Sequence, residues 1–345
     1  MRLARPFAAV VLLSAAGCGL NPQPEPPTTD TELSGAGGAA GGGGAGEGGG
    51  RAGAGVGGAA GSAGAPGVGG GHAGAGGAST AGAALPDSPT PYCTGEDGGE
   101  VTCPAAGSKT GEDGAFQGQI STFVDEGDRL RDTLTQLSWQ KTPLGPLSPA
   151  DATSATCPAG ARAPSLLELL TLADVGRADG QLPPFGVGGS HFATVAAGTA
   201  ALALPAGGST HAPAGLGVLR CVSGPAFVVT FAVDAGGETV TSSLGLRFER
   251  QSAGAQVSWK AALDACAAKG GGARLPTVKE LFTLVDDASS PTADAAFVAP
   301  SAGGQEFWSS TADPTGARAF VVSFASRDLK SEPREAPHQV RCVVP

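Results

Sequence analysis

Seven cysteines and two copies of one short segment are the residues whose types and spacing could do chemistry. A cysteine attacks carbon or binds metal as its thiolate. A glutamate needs a second titratable group to serve in acid–base catalysis. The segments are Arg162-Ala163-Pro164-Ser165-Leu166-Leu167-Glu168 and Arg274-Leu275-Pro276-Thr277-Val278-Lys279-Glu280, whose arginines stand 112 residues apart. Each is followed by apolar residues at helical spacing, and neither repeat offers a clear second titratable group for catalysis. Ser165 with Glu168, and Thr277 with Glu280, have the spacing of a capping box. In that arrangement a hydroxyl takes a backbone N–H and the carboxylate reaches back to the cap N–H. The glutamates therefore read as helix-starting residues, and the segment reads as a repeat within a duplicated fold.

The cysteines follow the same repeat. Cys157 precedes the first segment and Cys266 the second. Cys221 lies in Leu219-Arg220-Cys221-Val222, and Cys342 in Val340-Arg341-Cys342-Val343. Six cysteines allow fifteen pairings. Equivalent positions pair equivalently, which selects Cys157–Cys221 and Cys266–Cys342 and leaves Cys93 with Cys103. Such an even set fits an exported chain. The spacings do not match zinc-ligand pairs, and the four histidines are scattered. No phosphate-binding loop or Ser-His-Asp order stands out. The expectation is no catalytic residue, no metal and no cofactor.

The N-terminus supplies the export signal. Arg2 and Arg5 precede an apolar run from Phe7 to Leu13, too short to span a bilayer. Ala15-Ala16-Gly17-Cys18 resembles a bacterial lipobox, which implies lipid on Cys18 after cleavage. Gly19, in place of aspartate, resembles the outer-membrane sorting signal. The expected location is the outer membrane, with the ectodomain facing the periplasm or the cell exterior. From Cys18 to residue 90 the chain is rich first in proline and then in glycine and alanine, without apolar periodicity. It reads as a disordered tether. About 70 such residues reach roughly 45 Å r.m.s.. A net charge of −10 argues against broad nucleic-acid binding. The expected boundaries are 1–18 signal, 19–90 linker, 91–224 first domain and 225–345 second domain. The second should fold alone from about Pro225.

The elements that position these residues are short. Thr122 to Val124 and Leu134 to Trp139 read as strands, with Thr239 to Phe248 as the counterpart of the latter. A helix capped by Ser258 places Trp259, Ala262, Leu263 and Cys266 on one stripe, and Gly270 to Gly272 end it. Ser148 to Cys157 is a weaker version. Phe307 to Thr311 and His191 to Thr194 read as equivalent strands. Ala319 to Phe324 is a further strand, and Ala226 to Phe231 reads as the leading strand of the second copy. Trp139 reads as core.

Taken together these residues resemble the Lcl C-terminal domain family, a bacterial domain of unknown function. The likeness rests on Leu137 to Gln140, Cys266, Arg274 to Leu281 (with Pro276, Thr277 and Glu280), Trp308-Ser309-Ser310-Thr311, and Val340-Arg341-Cys342-Val343. The Cys93–Cys103 lead-in and Gly111 to Gly114 resemble the usual prelude. The first copy lacks the tryptophan–serine motif. The family is similar in pattern to the C-type-lectin-like and formylglycine-generating-enzyme fold. That implies an α+β architecture of two tandem lectin-like domains, each with short mixed strands and two helices. It also implies a surface-anchored binding or adhesion module. The partners would be the membrane, through the lipid, and a glycan or envelope protein. A passive envelope role and, last, a formylglycine-type enzyme are the alternatives.

Overall fold

The computed structural model describes residues 84–87, 92–94, 100–103, 112–116, 118–175, 184–185, 189–195, 198–204, 208–210, 213–285, 296–298 and 305–345. Cys18, the signal segment and nearly all of the expected tether lie outside them. The fold is mixed α/β, mostly strands with few helices, and four small sheets are arranged propeller-like. A two-stranded hairpin of β1 (Tyr92–Thr94) and β2 (Glu100–Thr102) precedes them and is closed by Cys93–Cys103. A 3-10 turn at Asp113–Ala115 follows.

The first half opens with an antiparallel meander of β3 (Phe123–Asp125), β4 (Arg129–Asp132) and β5 (Ser138–Gln140). Then come β6 (Leu144–Leu147), α1 (Pro149–Ser154), α2 (Leu166–Leu172), β7 (Gly189–Val195), β8 (Gly198–Leu204), β9 (Gly208–Thr210), β10 (Gly217–Leu219) and β11 (Val222–Ser223). The sheets run β11-β5-β4-β3 and β6-β10-β7-β8-β9. The second half contains β12 (Phe231–Val233), β13 (Thr239–Ser242), β14 (Arg247–Glu249), α3 (Trp259–Ala267), α4 (Val278–Phe282), β15 (Glu306–Ala312), β16 (Arg318–Ser323), β17 (Asp328–Pro333) and β18 (Val343–Val344). Its sheets run β12-β13-β14-β18 and β15-β16-β17.

Several expected strands are corrected. Leu134 to Trp139 is not one strand. The Asp132 carboxylate accepts the backbone N–H of Leu134 (2.8 Å) and Thr135, which folds a turn. Gln136 then takes a left-handed φ of 60°, and only from Ser138 does the chain pair. The stretch Thr239 to Phe248 breaks in the same way, with Gly245 at φ 81°. Glycine adopts that conformation without strain. Strand β4 occupies what reads as a polar turn. Its one buried residue is the charged Asp132, and its arginines are paired, Arg131 with Glu126 (2.8 Å, exposed) and Arg129 with Ser223 (2.7 Å, half-buried). Ala226 to Thr230 forms no ladder, and β12 starts only at Phe231. The Phe227 N–H is instead donated to the Glu168 carboxylate at 2.9 Å. Helix α1 stops at Ser154, so Cys157 lies beyond it, whereas Cys266 is on α3 as expected.

The core decides how the halves relate. Leu137, Trp139, Leu169 and Leu170 belong to one buried cluster with Val278, Leu281, Phe282 and Phe307. Helix α2 packs on α4 at its centre. Two satellite clusters each surround one disulfide. Trp259, Leu263, Leu275 and Trp308 enclose Cys266–Cys342, and Ala152, Phe192 and Leu219 pack around Cys221. The Leu329 N–H is donated to Ser209 Oγ at 2.8 Å, joining β17 to β9 across the halves. A cluster shared in this way leaves residues 225–345 without their full core, so independent folding from Pro225 does not follow from the structure.

Candidate functional site

The strongest concentration of buried charge lies where α4 begins. The site is built from the sequence upward. Pro276 cannot continue the preceding chain as helix, and Thr277 takes an extended conformation to cap α4. Its Oγ1 accepts the Glu280 N–H (3.3 Å), and the Glu280 carboxylate accepts the Thr277 N–H (2.8 Å). Arg274 donates both Nη atoms to the same carboxylate, at 2.6 and 2.7 Å. Burial alone would raise the Glu280 pKa, but Arg274 and the Thr277 N–H outweigh it and hold the group below its ordinary value. The first half repeats these bonds. Arg162 grips Glu168 at 2.7 and 2.6 Å, and the Ser165 N–H closes the box at 2.8 Å.

The motif residues around this start are engaged with backbone. The Pro276 carbonyl accepts from Ser310 N–H (2.8 Å) and Ser310 Oγ (3.2 Å). In the first half Thr194 makes the matching pair of bonds to the Pro164 carbonyl. Ser309 Oγ donates to the Phe320 carbonyl (2.8 Å), and Trp308 Nε1 to that of Val257 (2.8 Å). Arg341 is fully buried. Its Nη1 donates to the carbonyls of Glu249 (2.6 Å) and Arg250 (2.7 Å), and its guanidinium lies over the rings of Phe297 and Phe307. Burial lowers its pKa to about 10, so it stays cationic near neutrality. Arg220 does the same to Gln140 and Lys141, with Phe185 as its ring.

All six described cysteines are bonded, as Cys93–Cys103, Cys157–Cys221 and Cys266–Cys342. The pairing read from the repeat is the pairing observed. Among the described residues no group of three or more His, Cys, Asp or Glu is placed to hold a metal ion. No described helix is long and apolar enough to cross a membrane.

Three charged residues at this site were missed by sequence reasoning. Asp113, in the lead-in, is buried and accepts Thr311 Oγ1 at 2.6 Å, while Thr311 Oγ1 accepts the Val278 N–H at 2.9 Å. Burial, then the nearby Asp87 charge, pushes the Asp113 carboxyl up to about 7; Glu280 adds to this, while Thr311 and Arg274 oppose it. Lys279 is buried beside α2, and desolvation lowers its pKa against the pull of Asp87, Asp174, Asp113 and Asp132. Asp132 is itself buried and accepts Ser121 Oγ at 2.9 Å. The signals were weak. Asp113 lies in the prelude Gly111 to Gly114, and Lys279 looks like any helix-surface lysine. What the arrangement does chemically is fix geometry: it ties the start of α4 to the lead-in, to β15 and to its own cap.

Residues 238–344 match the Lcl C-terminal domain. That span contains α3, α4, the Cys266–Cys342 bridge and every family-motif residue from Arg274 to Arg341. No curated protein and no solved structure matches the chain.

Proposed function

We propose that this chain is an exported, non-catalytic binding or adhesion module of the outer membrane. Lipid on Cys18 anchors it, and the glycine-rich tether holds the fold away from the bilayer. The ligand is a glycan or an envelope protein. The observation that carries the reading is the fate of the motif residues. Arg274, Thr277, Glu280, Trp308, Ser309, Ser310 and Arg341 all direct polar atoms at partners inside the fold, and Cys266 and Cys342 form a bridge. The motif therefore builds a scaffold, and recognition falls to the surface around it.

Residues 91–224 are, in this reading, a second copy of the domain, and the pair keeps a lectin-like plan. The recurring contacts support the duplication: Arg162 with Glu168 against Arg274 with Glu280, Arg220 against Arg341, and one bridge per half. A glycan array probed with the full chain carrying Cys18→Ser tests the function. Saturable binding to a defined group of glycans, competed by free sugar, is the expected result. A blank array together with no retention on isolated envelope proteins favours a passive envelope role. Turnover of any supplied substrate revives the enzyme alternative.

A further inference from the structure

We infer that the segment Glu112–Phe116 is a proton-gated strap. It fastens to the corner between α4 and β15 when Asp113 is neutral and loosens as that carboxyl ionises. The inference stands apart from the identity of any ligand.

Geometry carries it. The strap crosses from the lead-in hairpin to the second half, and the 3-10 turn packs against both β1 and β15. It is held there by three side chains. Asp113 takes Thr311 Oγ1 at 2.6 Å, Phe116 lies under the Arg274 guanidinium at 5.1 Å, and Glu112 is buried. On its other side the chain is tied to the first half. Gly118 N–H is donated to Asp87 at 2.6 Å, Asp87 N–H to the Gln119 carbonyl at 2.8 Å, and Ala84 N–H to the Leu134 carbonyl at 3.2 Å. One short stretch thus spans both halves, and its central bond is made by a buried carboxyl.

The charges facing that carboxyl are mixed. Asp87 comes from the segment before the hairpin and Glu280 from α4; both oppose ionisation. Arg274 favours it. Lys279, also on α4, lies among Asp87, Asp113, Asp132 and Asp174. Arg334, beyond β17, is drawn to Glu112. Ionised in place, Asp113 would have, among the described residues, one hydroxyl donor and the Arg274 charge against burial and the like charges of Asp87 and Glu280, and burial makes that costly. Detached, it returns to water and to an ordinary aspartate pKa near ~4.

The direction follows. The docked carboxyl titrates above the detached one, at about 7. Docking is therefore strongest below about pH 4. It weakens by up to about tenfold per pH unit as the detached form ionises, and levels off near pH 7, where the docked form ionises too.

Hydrogen exchange of the full chain tests this between pH 4.5 and 8, after division by the intrinsic exchange rate. The probes are the Phe116 amide, which donates to the Asp113 carbonyl, and the Gly118 amide. The opening constant should rise about tenfold per pH unit to pH 6.5 and flatten above 7. Asp113→Asn should give a flat profile. Should that variant fold poorly, Asp87→Asn, read at the Phe116 amide alone because Gly118 donates to Asp87, keeps the test open: with one repulsive charge gone, the flattening should begin at lower pH. A flat wild-type profile overturns the inference. So does an Asp113→Asn profile that keeps the slope, or an Asp87→Asn profile that does not shift.

Discussion

Removing Glu280 should cost the fold far more than removing its counterpart Glu168. In Glu280→Ala the Arg274 guanidinium loses both of its carboxylate bonds and the Thr277 N–H loses its acceptor. The Arg274 side chain is only 16% exposed, so water cannot replace what is lost. Breaking one partner out of a buried pair costs about 3–5 kcal/mol. In Glu168→Ala the stranded arginine is different. Arg162 is 37% exposed and can turn into solvent. What remains is chiefly the buried Phe227 N–H left without its acceptor, about 1–3 kcal/mol, since the Ser165 N–H is only half-buried and can take water. Urea unfolding with the disulfides intact reads both, through the fluorescence of the buried Trp139, Trp259 and Trp308. With a slope of about 2–3 kcal/mol/M, Glu280→Ala should lower the midpoint by about 1–2 M. The ranking is the sharper claim. If both variants lose the same stability, or Glu280→Ala loses under about 1 kcal/mol, burial of the arginine does not set the cost and the reasoning fails.

Four further outcomes are expected. Non-reducing peptide mapping should return Cys93–Cys103, Cys157–Cys221 and Cys266–Cys342, and replacing Cys266 and Cys342 by alanine should cost about 4 kcal/mol; a bridge between the halves, such as Cys157–Cys342, would refute the pairing. A fragment from Pro225 onward, with Leu281 and Phe282 uncovered, should bind a hydrophobic dye and melt without a sharp transition; cooperative melting within a few degrees of the full chain would count against the shared core. Arg341→Lys should destabilise by about 2–3 kcal/mol, since an ammonium cannot both reach two carbonyls and stack on Phe297 and Phe307; a change below 0.5 kcal/mol by the same urea assay, well under the usual ~1 kcal/mol for a mutation, would contradict this. Cys18→Ser should leave the membrane fraction and take up no labelled fatty acid; a mutant that stays with membranes sinks the anchor.

What was legible in the sequence was local. The capping boxes at Ser165 and Thr277 could be read because both partners lie within one helical turn. The bridges could be read because the repeat aligns the cysteines. Burial of Trp139 followed from its being a strand aromatic inside the repeat. Some of the misreadings concern residues whose partners lie far along the chain. Thr311 meets Asp113 from 198 residues away, and no spacing rule links them. Strand β4 was hidden because its one buried position is the charged Asp132, so no buried apolar residue marks an inward face. The turn at Gln136 was hidden because a non-glycine residue holds the left-handed position that glycine holds at Gly245. Phe227 looked like strand, yet its N–H serves Glu168 of the other half.

The lead-in also decides how the molecule bears mechanical load. Any pull along the chain from before Ala84 enters the fold through Ala84–Leu134 and Asp87–Gln119, and then through Asp113–Thr311. The Cys93–Cys103 bond short-circuits the residues between its two cysteines, so they cannot pay out as slack. The opposite end is fixed as well, since the Pro345 carbonyl accepts Arg247 and β18 pairs with β14. Tension entering before Ala84 reaches the Ala84–Leu134 and Asp87–Gln119 bonds before Asp113–Thr311, and the cores around the two larger disulfides last.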